Sequence, residues 1–231
     1  MPKGKSENVF DEWRDKYDAW FTTPMGALIK HYETELVMAI LTPASGERIL
    51  DAGCGTGIFT KDICVPGTRV VGLELSFPML QGAVGRFQGR RFQGIQGDIN
   101  HLPFSNNRFA RTISLTALEF VEDAEGAVRE LFRVTRPGGS VVVATLNSLS
   151  PWAARRKAAG EKGHPLFRQA IFRSPQEIRA LTPVKGTLKT AIFFEKDDPL
   201  DLARKKEEKG QSAGLDTGAF IAVRWRKPSQ P

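Results

Sequence analysis

Cysteine, histidine and tyrosine are scarce in these 231 residues: two, three and two copies respectively. Cys54 and Cys64 are ten positions apart, and Cys54 falls inside a glycine cluster. That placement argues for two reduced packing residues rather than a disulfide framework. Neither the cysteines nor His31, His101 and His164 have the spacing of a metal site, so no metal is expected. No apolar run is long enough to span a bilayer, and the opening Met1-Pro-Lys-Gly-Lys-Ser-Glu-Asn8 lacks the apolar core of an export signal. A soluble, cytoplasmic chain is therefore expected. No internal repeat and no second domain is evident, and a hydrophobic content of 41% suits one buried core.

The most informative stretch is Arg48-Ile-Leu-Asp-Ala-Gly-Cys-Gly-Thr-Gly-Ile-Phe-Thr60. An apolar strand runs into glycines 53, 55 and 57 and then into a helix expected over 57–65. Without Cβ atoms such a loop presses its backbone against a ligand, and Asp51 stands at its entrance. No Gly-Lys-Ser/Thr follows the glycines, which excludes a P-loop. Two further strands, Arg69-Val-Val-Gly-Leu-Glu-Leu75 and Phe92-Gln-Gly-Ile-Gln96, bring Glu74 and Asp98 to their C-terminal ends. In an open α/β sheet that edge is where ligands bind, and an acid after the second strand is placed to hold a ribose.

Alternation continues, with strands near 48–52, 69–74, 92–96, 110–115 and 139–145 and helices near 76–88 and 124–135. The pattern predicts a parallel, doubly wound sheet. Arg136-Pro-Gly-Gly139 reads as a helix stop. Ahead of the first strand, apolar and aromatic residues at 9, 10, 13, 17, 20 and 21 repeat with helical period, Thr22-Thr-Pro-Met-Gly26 breaks the pattern, and a second helix is expected over 27–41. Ser150-Pro151 and the capping box Ser174-Pro-Gln-Glu177 each start a helix in the segment after the fifth strand. Leu188–Phe194 and Gly218–Trp225 read as two last strands, and the charged 197–217 connection between them as mobile.

Taken together, Leu50-Asp-Ala-Gly-Cys-Gly-Thr-Gly57, Val71-Gly-Leu-Glu-Leu-Ser76 with Met79-Leu80, Gly97-Asp98, Leu102-Pro-Phe-Ser-Asn-Asn-Arg-Phe109 and Arg133-Val-Thr-Arg-Pro-Gly-Gly139 resemble the class I S-adenosylmethionine-dependent methyltransferases. The likeness is greatest to the subgroup that includes ubiquinone and menaquinone biosynthesis enzymes and many small-molecule methylases. It implies a Rossmann-like, seven-stranded α/β sheet: five parallel strands, an antiparallel terminal pair, and a helical insertion between strands 5 and 6. It divides a single domain into N-terminal cap helices (1–45), a cofactor-binding core (46–147), a basic insertion (148–187) and a C-terminal hairpin (188–231).

For the S-adenosylmethionine cofactor the resemblance implies a set of contacts. Ala52 and the loop Gly53, Cys54, Gly55 and Gly57 would approach the amino acid end, with Asp51 assisting its ammonium. Glu74 would accept the ribose hydroxyls, Asp98 the adenine amine, and Ile99 would donate its N–H to the ring, between walls of Leu75 and Met79. Ser114, Leu115 and Thr116 would lie under the sulfonium, and Tyr17 would close the methionine end. The cofactor brings the activated carbon, so a catalytic base is optional. Candidates are Tyr17, Glu119 and His164, with His31 and His101 weaker. The family frequently has histidine where this chain has Glu119 or Phe120, so the likeness assigns no base.

From Ser148 to Lys189 there are nine Lys or Arg and two Glu, an excess equal to the net charge of +7 of the whole chain. A basic insertion over an acceptor site favours an anionic or membrane-proximal small molecule such as a lipid-quinone precursor, or is simply a solvated lid. A nucleic-acid substrate is the second reading, supported by a pI near 9.6. It lacks an appended RNA-binding module and the Asn/Asp-Pro-Pro-aromatic motif of amino-methylating enzymes. A non-catalytic cofactor-binding protein is the third, and a nicotinamide dehydrogenase is disfavoured by Asp98 and the terminal pair. Acceptor, oligomeric state and pathway have no signature in the sequence.

Overall fold

Seven strands make one sheet: β1 (Arg48–Ala52), β2 (Arg69–Glu74), β3 (Phe92–Gln96), β4 (Phe109–Leu115), β5 (Thr135–Leu146), β6 (Gly186–Ala191) and β7 (Phe220–Arg226). In this computed structural model, which describes residues 9–87 and 91–229, the spatial order is β3-β2-β1-β4-β5-β7-β6. Strands β1 to β5 pair in parallel, and β7 runs antiparallel to both β5 and β6. The expected sheet is thus present, with its terminal pair. The octapeptide read for an export signal, and residue 88 at the end of the expected 76–88 helix, lie outside the described residues.

Strand periodicity splits the apolar residues between two faces. Ile49, Val70, Ile113, Val142 and Ala222 face α2 (Pro24–Leu41), while Leu50, Val71, Val141, Val143 and Ile221 face α5 (Ala124–Val134). Helix starts follow local capping chemistry. Thr23 accepts from the Gly26 N–H with Pro24 next to it, which begins α2 earlier than residue 27. Ser76 opens α4 (Phe77–Arg86) and Asp123 opens α5 in the same way. Both expected starts in the insertion are present. Ser150 caps α6 (Pro151–Glu161), and Ser174 with Glu177 forms a complete capping box for α7 (Pro175–Ala180).

Several expectations need correction. The helix expected over 57–65 is a single turn, α3 (Thr60–Ile63), because residues 53–57 stay in a glycine-rich turn. The segment 9–21 is broken into a 3-10 turn (Val9–Glu12) and α1 (Arg14–Trp20). Helix α5 ends at Val134, ahead of the expected stop, but the fifth strand begins at Thr135 rather than 139, and Gly139 within it packs against the Ala110 carbonyl. The sixth strand runs over Gly186–Ala191 rather than to 194. The 197–217 connection, read as mobile, contains the ordered helix α8 (Leu200–Ser212). Its charge pattern hid three inward positions, Ala203, Glu207 and Gly210. The Glu207 carboxylate accepts the N–H groups of Ile192 at 3.1 Å and Phe193 at 2.8 Å, which ties α8 to the end of β6.

Candidate active site

The C-terminal edge of the parallel strands opens into a cavity of about 1550 Å³. At its β1–β2 end, Gly53 has φ +84° and a Cβ there would sit 2.4 Å from the Ala117 Cβ, so only glycine fits. Gly55, at φ +55°, has nothing closer to its virtual Cβ than Met79 Cε at 3.7 Å: it faces the open cavity. Glu74, at the end of β2, holds this loop in place. One oxygen accepts the Gly55 N–H at 3.0 Å and the other the Ser76 N–H at 2.9 Å. Burial raises its pKa, against those two hydrogen bonds, which lower it.

Asp51 is buried at the floor of the same end. Its Oδ2 accepts from the Thr60 hydroxyl at 2.6 Å, whereas Oδ1 has no hydrogen-bond partner among the described residues. Burial lifts its pKa to about 7 in spite of the Thr60 bond. Asp98 lies at the other side, about half exposed, with Oδ1 accepting the Asn100 N–H at 2.9 Å and Oδ2 facing His101 Nδ1 at 3.3 Å. Leu75, Met79, Ile99 and Leu115 line the walls. Thr116, directly after β4, takes φ +48°, a left-handed conformation that costs a β-branched residue energy. Its side chain lies close enough to the Tyr17 hydroxyl of α1 to lower that group's pKa, against the larger effect of burial.

Most of the expected cofactor residues therefore meet in one cavity. Ala52, Gly57 and Ser114 do not line it. Ala52 is in the core on the α5 side, Gly57 packs on Phe87 and Ala83, and Ser114 is fully buried within β4. Strand alternation explains Ser114, since only one neighbour of the pair 114 and 115 can face the cleft. Cys54 lines the cavity, but burial pushes its thiol pKa well up, which suits a packing residue.

The other end of the cavity is walled by elements from outside the sheet. The 3-10 turn and α1 close one side, latched by Asp11 to the Ser76 hydroxyl and by Asp18 to Thr56 Oγ1, both at 2.6 Å, and by Asp18 to Arg86 at 2.5 Å. Opposite stands α6. Its Trp152 indole donates to the Phe194 carbonyl at 2.6 Å, and the Arg156 guanidinium lies over the Trp152 ring. Between them are two buried carboxyls, Glu33 from α2 and Glu119 from a 3-10 turn (Leu118–Phe120) after β4. Burial raises Glu33 to about 8, opposed by the positive field of Arg156. It raises Glu119 to about 7, opposed by backbone and Thr145 hydrogen bonds.

The candidate bases separate clearly. Glu119 is fixed, with Oε2 accepting from Thr145 at 2.9 Å and Oε1 unpartnered among the described residues. Burial also raises the Tyr17 hydroxyl far above its usual value, so it serves as a donor rather than a base. His164 lines the cavity with its ring stacked on Phe167. His31 and His101 are exposed, and neither lines the cavity.

Glu33 and Arg156 were absent from the expected set. Glu33 had a signal: it lies four residues after Ile29 and four before Val37, a charge in the apolar stripe of α2. Arg156 had none, because it is one of three adjacent basic residues and only packing on Trp152 distinguishes it. Two of the insertion's cations are committed elsewhere. Arg155 pairs with Asp197 at 2.6 Å, and Arg173 holds the carbonyls of Leu118 and Val121 at 2.7 and 3.0 Å.

With this geometry in hand, residues 50–143 match the family described as Methyltransferase domain. Demethylmenaquinone methyltransferase of Thermobifida fusca is 29% identical over 189 residues, 73% of this chain and 79% of that protein. A malonyl-[acyl-carrier protein] O-methyltransferase of Pectobacterium atrosepticum is 38% identical over 112 residues, 48% of this chain but only 44% of that protein. A SAM-dependent methyltransferase from Thermotoga maritima has the same fold, with a TM-score of 0.73 at 22% identity over 95% of this chain and 98% of that one. Residues 50–143 thus carry a methyltransferase domain, and the chain shares the fold of proteins that bind the cofactor S-adenosylmethionine.

The residues present fit that cofactor. Gly55 leaves open space where any other residue would project, and the orphaned Asp51 Oδ1 suits an ammonium. Among the described residues no group of three or more His, Cys, Asp or Glu is arranged to hold a metal, and no helix is long and apolar enough to cross a membrane.

Proposed function

We propose that the protein methylates a small-molecule acceptor bound in the half of the cavity between α1, α2 and α6. The observation that carries this reading is the continuity of one cavity from Glu74 and Asp98 at the strand ends to Glu119 and Arg156 at the insertion. S-adenosylmethionine supplies an activated methyl on a sulfonium, so the protein's work is alignment, desolvation and, for a protic acceptor, removal of a proton.

The residue roles follow from position. Glu74 takes the ribose hydroxyls, Asp98 the adenine amine, and the Ile99 N–H the adenine ring. Asp51 and the Gly53–Gly55 backbone take the amino acid end, Leu115 and Thr116 flank the reacting methyl, and Tyr17 closes the methionine side. Leu75 and Met79 sandwich the base. Glu119 is the proton acceptor: it lines the cavity with one oxygen unpartnered among the described residues, and a pKa of about 7 matches it to neutral solution.

A tritiated methyl donor incubated with the protein and a dialysed and a dialysable cell fraction tests the reading. Label in the dialysable fraction is the expected result, and label in RNA would contradict it. A carrier-bound acyl group is the second reading, favoured by the likeness to malonyl-[acyl-carrier protein] methyltransferase, and label on an acyl carrier protein would select it.

A further inference from the structure

The acceptor wall carries more polar chemistry than methyl transfer alone requires. Glu33, Glu119 and Arg156 come from α2, the 3-10 turn after β4 and α6, three elements distant in sequence, and all line the same cavity. Arg156 feels the field of both carboxyls, yet its buried Nη1 has no hydrogen-bond partner among the described residues. A buried cationic N–H group without a partner is costly, and a chain retains it where something else pairs with it. Its side chain is aimed rather than loose: the guanidinium stacks on Trp152, whose ring is pinned by the bond to the Phe194 carbonyl.

Glu119 is equally fixed. Arg173 grips the carbonyls on either side of it, and the Ile171 N–H donates to its own carbonyl at 2.7 Å. With Oε2 engaged by Thr145, Oε1 is the acceptor left over. Two unsatisfied groups of opposite character thus belong to one aromatic-walled space, one asking for an anion and the other for a donor. His164 Nδ1 is a third atom there that has no partner among the described residues.

We propose that this wall is a two-point acceptor subsite. Arg156 holds a carboxylate on the acceptor, and Glu119 Oε1 accepts the hydrogen bond, then the proton, of the N–H or O–H nucleophile that receives the methyl group. The nucleophile's lone pair forms the bond to the methyl carbon, the carbon–sulfur bond breaks with its pair left on sulfur, and the displaced proton passes to Glu119. The charge balance agrees. Near neutral pH Glu33, at about 8, is largely protonated, so Arg156 is not neutralised from that side and favours an anionic partner. The inference rests on the methyltransferase reading.

The test uses the protein saturated with S-adenosylhomocysteine and follows the Trp152 indole N–H by NMR, assigned through Trp152→Phe. Benzoate should shift that signal saturably and benzamide, its neutral counterpart, should not. Arg156→Gln should weaken benzoate binding by about tenfold or more while S-adenosylhomocysteine affinity is kept, and Arg156→Lys, which retains the charge, should keep part of the benzoate binding. At least one of the three hydroxybenzoate isomers should bind more tightly than benzoate, and Glu119→Gln should remove that gain.

Equal responses to benzoate and benzamide, or no response to either, would overturn the Arg156 assignment. A set with no gaining isomer, or a gain that survives Glu119→Gln, would overturn that of Glu119. Failure of S-adenosylhomocysteine to bind at all would instead refute the cofactor reading, so the two failures are distinguishable.

Discussion

Glu74 stitches two backbone segments together before any ligand arrives, through the Gly55 and Ser76 N–H groups. Its loss therefore acts twice, on the ribose contact and on the shape of the loop. Glu74→Ala should weaken S-adenosylmethionine binding by about 1–3 kcal/mol in calorimetric titration, the value of charge-assisted hydrogen bonds at a partly solvated site. Gly55→Val should abolish binding in a chain that still folds, since the new side chain meets open cavity rather than packed atoms, while the β-branched residue at φ +55° adds strain confined to the loop. A Gly55→Val protein with a native circular dichroism spectrum and undiminished affinity would contradict the placement of the loop. These residues were legible in the sequence because strand-end acids and glycine turns are local patterns. Glu33 and Arg156 were harder to see, since their meaning arises only when α2 and α6 are brought face to face.

At the scale of elements, the helix starts read from capping at Ser150 and Ser174 transferred to the structure, whereas the Thr23 cap was missed and α2 begins earlier than expected. Thr23, Ser76, Asp123, Ser150 and Ser174 each accept from the first turn of the helix that follows. What also did not transfer was α8, where lysines and glutamates outnumber apolar residues and only tertiary contact reveals an inner face. Glu207 makes the case: a charged side chain almost wholly buried, taking two backbone N–H groups at the end of β6. Glu207→Ala should leave two buried donors unpaired and lower stability by about 2–4 kcal/mol in urea unfolding, where a mobile linker would predict no change. The turn at 53–59 is the converse case: helical propensity after Gly57 yields to a glycine loop whose conformation is set by Gly53 and Glu74.

Over the whole molecule, one end of the sheet concentrates buried acid. Glu33 is held at about 8, with Asp51 and Glu119 at about 7, in each case chiefly through burial. A carboxyl raised in the folded state keeps its proton there after the unfolded chain has lost it. Unfolding then releases protons, and the stability these groups contribute is full below the unfolded value and lost as pH rises through the folded one. The ligand-free protein should accordingly melt at lower temperature near about pH 8.5 than near about pH 5.5, and Glu33→Gln should flatten that slope. A melting temperature that rises across the same window would contradict the buried placement of these acids.

The same geometry that costs stability without ligand is what receives the cofactor and its acceptor, and the most direct measurement addresses that. Isothermal titration of the purified protein with S-adenosylmethionine, S-adenosylhomocysteine and, as control, NAD should give saturable binding of the first two and none of the third. Binding of NAD, or binding of none of them by folded protein, would contradict the account.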